Sequence, residues 1–395
     1  MLPDPELPDL RATAHGGEPF ERRGRYSVGR VDFRVRDRSR PTQANGWARG
    51  LAYRQLDTSV WYPAKTRLRA GLRGPRALAE GGPFPVILYS HGFCSSRSEV
   101  TRMAARFASH GLIVIAADFP LSSTLARGGK PTLNDVREQA RDLGFLLDRL
   151  LERDADPRSR FHGAVDRERI GAAGISLGAT TTLIATYHAE LHDPRIRAAV
   201  SIAGPTSMFG PEFFAREVPL LHVHGDRDAL VYYEHNARPL LERTGPWARL
   251  LTVEGASHSG FSHIPMERFS LEVLGALVGP SGSHRDHADR LGCGFVLKML
   301  PDDLDFLTPL GPLEHGLIPP DTTIPGSPAI LAAPAAPPDH QRRIAISSAL
   351  AFFRAEFDPT PRPGASTSTY ASASTCSRPS PTGTTTKAST PRSAR

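Results

Sequence analysis

Five consecutive residues, Gly174-Ile175-Ser176-Leu177-Gly178, place a serine between two glycines. A serine hydroxyl is a weak nucleophile until a neighbouring base takes its proton, and that base needs a third group to orient it. The five residues follow a short apolar run (169–175) of strand type and open a stretch (177–190) of helical type. That setting matters more than the letters. A serine on a sharp strand-to-helix turn exposes its Oγ, and the turn brings the residues two before and two after so close that both must be small. Chance Gly-x-Ser-x-Gly stretches occur in glycine-rich chains and lack this context. The chemistry indicated is acyl transfer through a serine-bound intermediate.

The partners of such a serine follow it in the order acid, then histidine. Residues 219–228 (PLLHVHGDRD) read as a strand ending in a His-Gly-Asp-x-Asp turn, and residues 249–258 (RLLTVEGASH) as a strand and short loop ending in His258. A turn aspartate or a surface histidine is ordinary taken singly. The two follow consecutive strands downstream of the serine turn, and that conjunction assigns Asp228 as acid and His258 as base. Asp226 is the second choice for the acid, since aspartate readily caps a turn through backbone N–H groups. Asp118, at the end of an earlier strand, is a third choice that precedes the serine, against the expected order.

A tetrahedral oxyanion needs preorganised donors. One is the backbone N–H of Leu177, directly after the serine. The other is sought in the loop Ser90-His91-Gly92-Phe93-Cys94, where Phe93 N–H is the candidate. Position in this loop gives His91 a structural role, and Cys94 lacks the turn that would make it a nucleophile. His284, Asp286 and His287 have no third ligand at fixed spacing, so a polar loop is expected there and no metal. No Walker or dinucleotide-binding glycine motif occurs, and no cofactor is expected.

The elements that must position these groups are legible as runs. Residues 85–90, 112–118, 169–175, 197–203, 219–224 and 249–254 are short and apolar throughout, as strands buried on both faces of a parallel sheet are. Residues 25–36 and 56–62 suggest a hairpin at the sheet edge. Helical patterns fall between them at 97–109, 135–153, 177–190 and 233–243. In 135–153, Val136, Ala140, Leu143, Leu147, Leu150 and Leu151 form a one-sided stripe. Strand and helix alternate, which predicts an α/β class with a mainly parallel central sheet and helices on both faces.

The expected organisation is a loose leader (1–24), one domain (25–358) and a tail (359–395). The tail is rich in Ser, Thr and Pro and too poor in large apolar residues to offset chain entropy, so disorder is expected. Within the domain, 262–340 reads as an insertion with helix-like stretches at 266–278 and 289–300, before a helix at 341–357; it is placed to act as a lid, with packing on the far side as an extension of the core the alternative. The formal charge of +7 comes from arginine spread along the chain among acidic residues. It marks compositional bias and no nucleic-acid partner. Cys94, Cys293 and Cys376 match no metal or disulfide spacing, and free thiols are expected, with a Cys94–Cys293 pair the alternative. No apolar run reaches membrane-span length and residues 1–30 lack the apolar stretch of a signal, which predicts a soluble cytoplasmic protein. Secretion is the alternative if the true start lies elsewhere. Oligomeric state has no signature.

Residues 85–261 resemble the dienelactone-hydrolase-like branch of the α/β-hydrolases, and within it the platelet-activating-factor acetylhydrolase-like and cutinase-like polyester hydrolases. The matching pieces are SHGF at 90–93, ASHGLIVIAADFP at 108–120, RIGAAGISLG at 169–178, HGDRD at 224–228 and GASHSGF at 255–261; the segment Leu56 to Pro63, ending in WYP, also resembles the N-terminal strand of these enzymes. The resemblance implies the α/β-hydrolase fold and a cofactor-free serine esterase acting on a small-molecule ester, with Ser176, Asp228 and His258 as triad and Phe93 and Leu177 as oxyanion donors. There are departures. Dienelactone hydrolases carry cysteine where Ser176 stands. The polyesterases carry a tryptophan after the strand following the serine turn, where this chain has Ala203-Gly204-Pro205-Thr206. They are usually secreted and lack an insertion as long as 262–340. Acyl transfer or amide cleavage on the same triad is the alternative activity. A non-catalytic binding protein is the alternative class, and a complete triad argues against it.

Overall fold

Period-2 alternation sorts the strand side chains into two buried layers. In the computed structural model, Val86 and Leu88 of one strand face one layer while Ile87 and Tyr89 face the other; Ile113, Ile115 and Ala117 of the next divide in the same way from Val114 and Ala116. The structure describes residues 20–66, 76–129, 131–228, 231–262 and 336–358. Its strands are β1 (Ser27–Asp37), β2 (Arg54–Ala64), β3 (Phe84–Ser90), β4 (Ile113–Asp118), β5 (Val165–Ile175), β6 (Ile196–Ile202), β7 (Leu220–Gly225) and β8 (Ala248–Val253), hydrogen-bonded in the order β1-β2-β4-β3-β5-β6-β7-β8. β3 to β8 run parallel, and β2 is antiparallel to both β1 and β4. The expected hairpin therefore makes the sheet mixed through a single strand.

Both faces are covered because the parallel strands are linked by helical crossovers. α1 (Thr101–Ser109) and α6 (Pro338–Phe357) supply Met103, Phe107, Ala349 and Phe353 to one layer; α2 (Val136–Ala155) and α3 (Leu177–Tyr187) supply Leu143, Leu147, Leu183 and Ile184 to the other. The stripe of α2 is buried from Val136 to Leu150 and partly buried at Leu151, and the helix stops before Pro157. One expectation needs correction. Residues 233–243 are two short helices, α4 (Tyr233–Asn236) and α5 (Leu240–Arg243), because Pro239 has no N–H to continue the first and its ring crowds the preceding turn. The helices expected at 266–278 and 289–300, the lid, most of the leader and the tail beyond 358 lie outside the described residues.

The edge hairpin is fastened by charge. Arg54, at the start of β2 and 1% exposed, donates from Nε to Asp142 Oδ1 at 2.8 Å and from Nη2 to Asp135 Oδ1 at 2.9 Å. Arg40 reaches the same Asp142 Oδ1 at 2.7 Å and also pairs with Asp37 and Glu138. Burial pushes the Asp135 carboxyl up, partly opposed by Arg54. Opposite charges with their hydrogen bonds satisfied can occupy such a site, whereas one left alone there is costly. Asp142→Ala strips Arg54 of its bidentate partner. It is expected to lower unfolding free energy by about 3–5 kcal/mol, read as a lower urea midpoint at unchanged slope. A loss below about 1 kcal/mol, the range of exposed pairs, would show that the network contributes little.

Candidate active site

Ser176 lies between the last residue of β5 and the first of α3 with φ 54° and ψ −122°. L-residues rarely adopt such a backbone, which costs on the order of 1–3 kcal/mol and persists only where the surroundings enforce it. Here Ser176 N–H is bonded to Ile202 O at 2.9 Å. A Cβ on Gly174 would stand 2.1 Å from Gly178 O, and one on Gly178 would stand 2.0 Å from Ser90 O and 2.6 Å from His91 O. Both glycines are therefore required by backbone contact.

The structure brings Ser176, Asp228 and His258 together. His258 Nδ1–H donates to Asp228 Oδ2 at 2.7 Å, which leaves Nε2 to accept the Ser176 hydroxyl at 3.0 Å. Asp228 is 1% exposed, and its other oxygen accepts Val231 N–H at 2.7 Å. Burial alone would pull the His258 imidazole down. The Asp228 carboxylate, by charge and hydrogen bond, outweighs it with help from Glu99 and holds His258 above its ordinary value. Burial likewise pushes Asp228 up, but His258, His224 and Val231 N–H hold it below the usual carboxylate range. Asp226 does not reach His258. Its Oδ1 accepts Gly255 N–H at 2.6 Å and braces the turn after β8. Asp118 is taken by Arg97, whose backbone N–H it accepts at 2.6 Å and whose guanidinium it pairs with.

The loop after β3 lies against the serine turn, since a Cβ on Gly92 would be 3.6 Å from Ser176 Cβ. Gly92 N–H is bonded to Glu99 Oε2 at 2.9 Å and Cys94 N–H to Ser122 O at 2.9 Å. Between them Phe93 N–H has no acceptor among the described residues, and neither has Leu177 N–H in the first turn of α3. His91 uses both ring nitrogens on backbone, Nδ1–H donating to Gly92 O at 2.7 Å and Nε2 accepting Phe119 N–H at 3.1 Å. Its role is to brace the loop. Cys94 is a buried free thiol whose pKa burial pushes up to about 12, far from the thiolate a nucleophile needs. Cys293 and Cys376 lie outside the described residues.

Two features were not foreseen in the sequence. Glu99, 5% exposed, joins the two sides of the site: one oxygen holds Gly92 N–H, the other accepts the Ser262 hydroxyl at 3.0 Å, four residues past His258. Burial raises its carboxyl above the ordinary range. An acidic residue at the head of a helix-like stretch carries no sign of this. The second is the close return of the chain. Ala336 N–H is bonded to Gly255 O at 2.7 Å and Arg342 donates to Ser262 O at 2.6 Å, so the residues before and after 263–335 meet at the His258 loop. Among the described residues no group of His, Cys, Asp and Glu is arranged to hold a metal, and no helix is long and apolar enough to cross a membrane. His284, Asp286 and His287 lie outside them.

Comparison with known proteins agrees with this architecture. The PET hydrolase-like family model matches residues 77–271, from just before β3 to beyond His258. A cutinase of Thermobifida fusca (cut1) is 23% identical over 257 residues, covering 63% of this chain and 67% of that protein. The chain has the α/β-hydrolase fold. The matches support its cutinase-like polyester-hydrolase branch. A bis(hydroxyethyl) terephthalate hydrolase of Streptomyces coelicolor is 27% identical over 201 residues, covering 50% of this chain and 57% of that one. A ferulic acid esterase structure from Streptomyces cinnamoneus superposes with a TM-score of 0.54 at 22% identity, covering 86% of this α/β-hydrolase and 92% of that chain, and so shares its fold. The hydrolase is a carboxylic ester hydrolase of the serine type. Its turn geometry makes a sharp prediction. Gly178→Ala forces a methyl into two backbone carbonyls, so stability should fall by at least the roughly 1–3 kcal/mol of overpacking, with loss of ester hydrolysis. Thermal unfolding checks this, and a variant with native melting temperature and rate would contradict it.

Proposed function

We propose that this hydrolase cleaves carboxylic esters through an acyl-enzyme on Ser176, with His258 as general base and acid, Asp228 as its orienting carboxylate, and the N–H groups of Phe93 and Leu177 as oxyanion donors. The observation that carries the reading is the unbroken chain from Asp228 Oδ2 through His258 to Ser176 Oγ, at 2.7 and 3.0 Å. Ser176 Oγ attacks the ester carbonyl as its proton passes to His258 Nε2. The imidazolium that forms is stabilised by Asp228, which keeps its own negative charge. The carbonyl oxygen becomes an oxyanion facing the two N–H groups, which have no other acceptor among the described residues. The tetrahedral species collapses as His258 returns the proton to the departing alcohol. Water, deprotonated by the same imidazole, then releases the acid and restores Ser176.

The substrate is a small-molecule ester. The names of the relatives, cutinase and bis(hydroxyethyl) terephthalate hydrolase, make aryl-carboxylate esters the first to try beside aliphatic ones. A panel of p-nitrophenyl esters of rising acyl length, with bis(hydroxyethyl) terephthalate, tests the class. Ser176→Ala should cost on the order of 10⁶-fold in kcat while the fold persists, and hydrolysis near the native rate by the purified variant would refute the assignment. Asp228→Asn should cost about 10⁴-fold, and Asp226→Asn far less because Asp226 braces a turn; the reverse ranking would move the acid to Asp226. His258 must be neutral to accept the proton, and its pKa is raised in the folded protein. Activity should therefore fall as pH drops through a value above about 6.5, the ordinary imidazole pKa. A kcat/KM profile with its acid limb below that value would show that Asp228 does not support His258 as described.

A further inference from the structure

Behind Asp228 runs a line of buried side chains that the reaction as derived does not use. His222 and His224 occupy alternate positions of β7 and so share one face of the strand. They and Ser201 of β6 are fully buried. Ser201 Oγ is 2.9 Å from His222 Nδ1, His222 Nε2 is 3.0 Å from His224 Nδ1, and His224 Nε2 is 2.7 Å from Val231 O. The last contact sets the direction of the whole line. A carbonyl oxygen only accepts, so His224 carries its proton on Nε2. Its Nδ1 then accepts from His222 Nε2–H, and His222 Nδ1 accepts from the Ser201 hydroxyl. Burial holds each ring below the ordinary imidazole range, in keeping with the neutral forms this pattern uses.

The line ends at the acid. Val231, whose carbonyl His224 holds, donates its own N–H to Asp228 Oδ1 at 2.7 Å. His224 Nε2 also stands 3.4 Å from Asp228 Oδ2, the oxygen that accepts from His258. We propose that His224 is a positioning residue for the hydrolytic site, the terminal donor of the Ser201–His222–His224 line, which anchors Val231 and through it aims the Asp228 carboxylate at His258. The inference rests on the triad reading above.

A contact that only fills the core would change melting temperature alone; one that aims Asp228 must also change how His258 titrates. The charged and titratable groups facing these rings are Asp228 and Glu99 around His258, Asp228, His258, His222 and Tyr233 around His224, and Arg243 near His222. The test compares two polar substitutions. The amide of His224→Gln extends to the place of Nε2 and can still donate to Val231 O. The shorter amide of His224→Asn stops near Nδ1, satisfies His222 and does not reach Val231. With p-nitrophenyl acetate, His224→Asn should lower kcat by about tenfold or more, the usual effect of losing such an outer support, leave KM unchanged, and move the acid limb to lower pH as His258 loses its hold on Asp228. His224→Gln should recover most of the rate and the native limb. Folded His224→Asn with native kcat, or with an acid limb unchanged or moved upward, overturns the proposal, as does a His224→Gln variant no better than Asn. Labelling of Ser176 by a fluorophosphonate probe separates the two levels: a native protein that is not labelled there refutes the triad itself, whereas a labelled protein with indifferent His224 variants refutes only this inference.

Discussion

A serine held at φ 54° by its surroundings depends on how closely three backbones approach one another. The carbonyls of Ser90 and His91 press against Gly178, Gly178 presses against Gly174, and Ile202 O receives Ser176 N–H. These contacts come from β3, β5 and β6, adjacent strands of the parallel sheet. The strain is sustained by sheet pairing on both sides, and the same crowding places the loop after β3 beside the serine. One steric constraint thus fixes Ser176, the start of α3 and the two candidate oxyanion donors together.

The polar groups around this turn are almost all out of water, which decides how they act. An unpaired buried donor or acceptor costs about 1–3 kcal/mol, and Glu99, His91 and His224 each find partners close to the site. Glu99 is satisfied by Gly92 N–H and the Ser262 hydroxyl, His91 by two backbone groups, and His224 by Val231 O and His222. Satisfaction of one group therefore dictates the position of the next. The loop carrying Phe93, the loop carrying His258 and the turn carrying Asp228 are held in register by hydrogen bonds from side chains outside the proposed triad.

The parts legible in the sequence were those with a local signature. Continuous apolar runs located six strands, the Gly-x-Ser-x-Gly turn located Ser176, and strand-end position singled out Asp228 and His258, which the structure brings within hydrogen-bonding distance. The choice between Asp226 and Asp228 rests on two residues of offset at a tight turn, which chain order cannot resolve; only in the fold is it seen that His258 bonds Asp228 while Asp226 bonds Gly255 N–H. Proline at 239 was visible in the sequence, and its power to end a helix was underweighted against the apolar spacing of 233–243. Glu99 and Arg54 could not be read because Ser262 and Asp142 lie far away along the chain, and His224 because its near neighbours His222 and Val231 meet it only once β7 and the turn after it have formed. A buried charge and a surface charge look alike until the fold supplies the partner.

The meeting of Ala336 with Gly255 and of Arg342 with Ser262 carries a consequence for how this scaffold accommodates change. The core itself ties these two flanking stretches together, and for a flexible loop between ends so held each doubling of length costs only about 0.6 kcal/mol. The His258 loop is thereby a port at which chain can be added or removed with little penalty to the sheet. A change of length at that one junction falls beside His258, the proposed base, so it alters the surroundings of the proposed site before it alters the sheet.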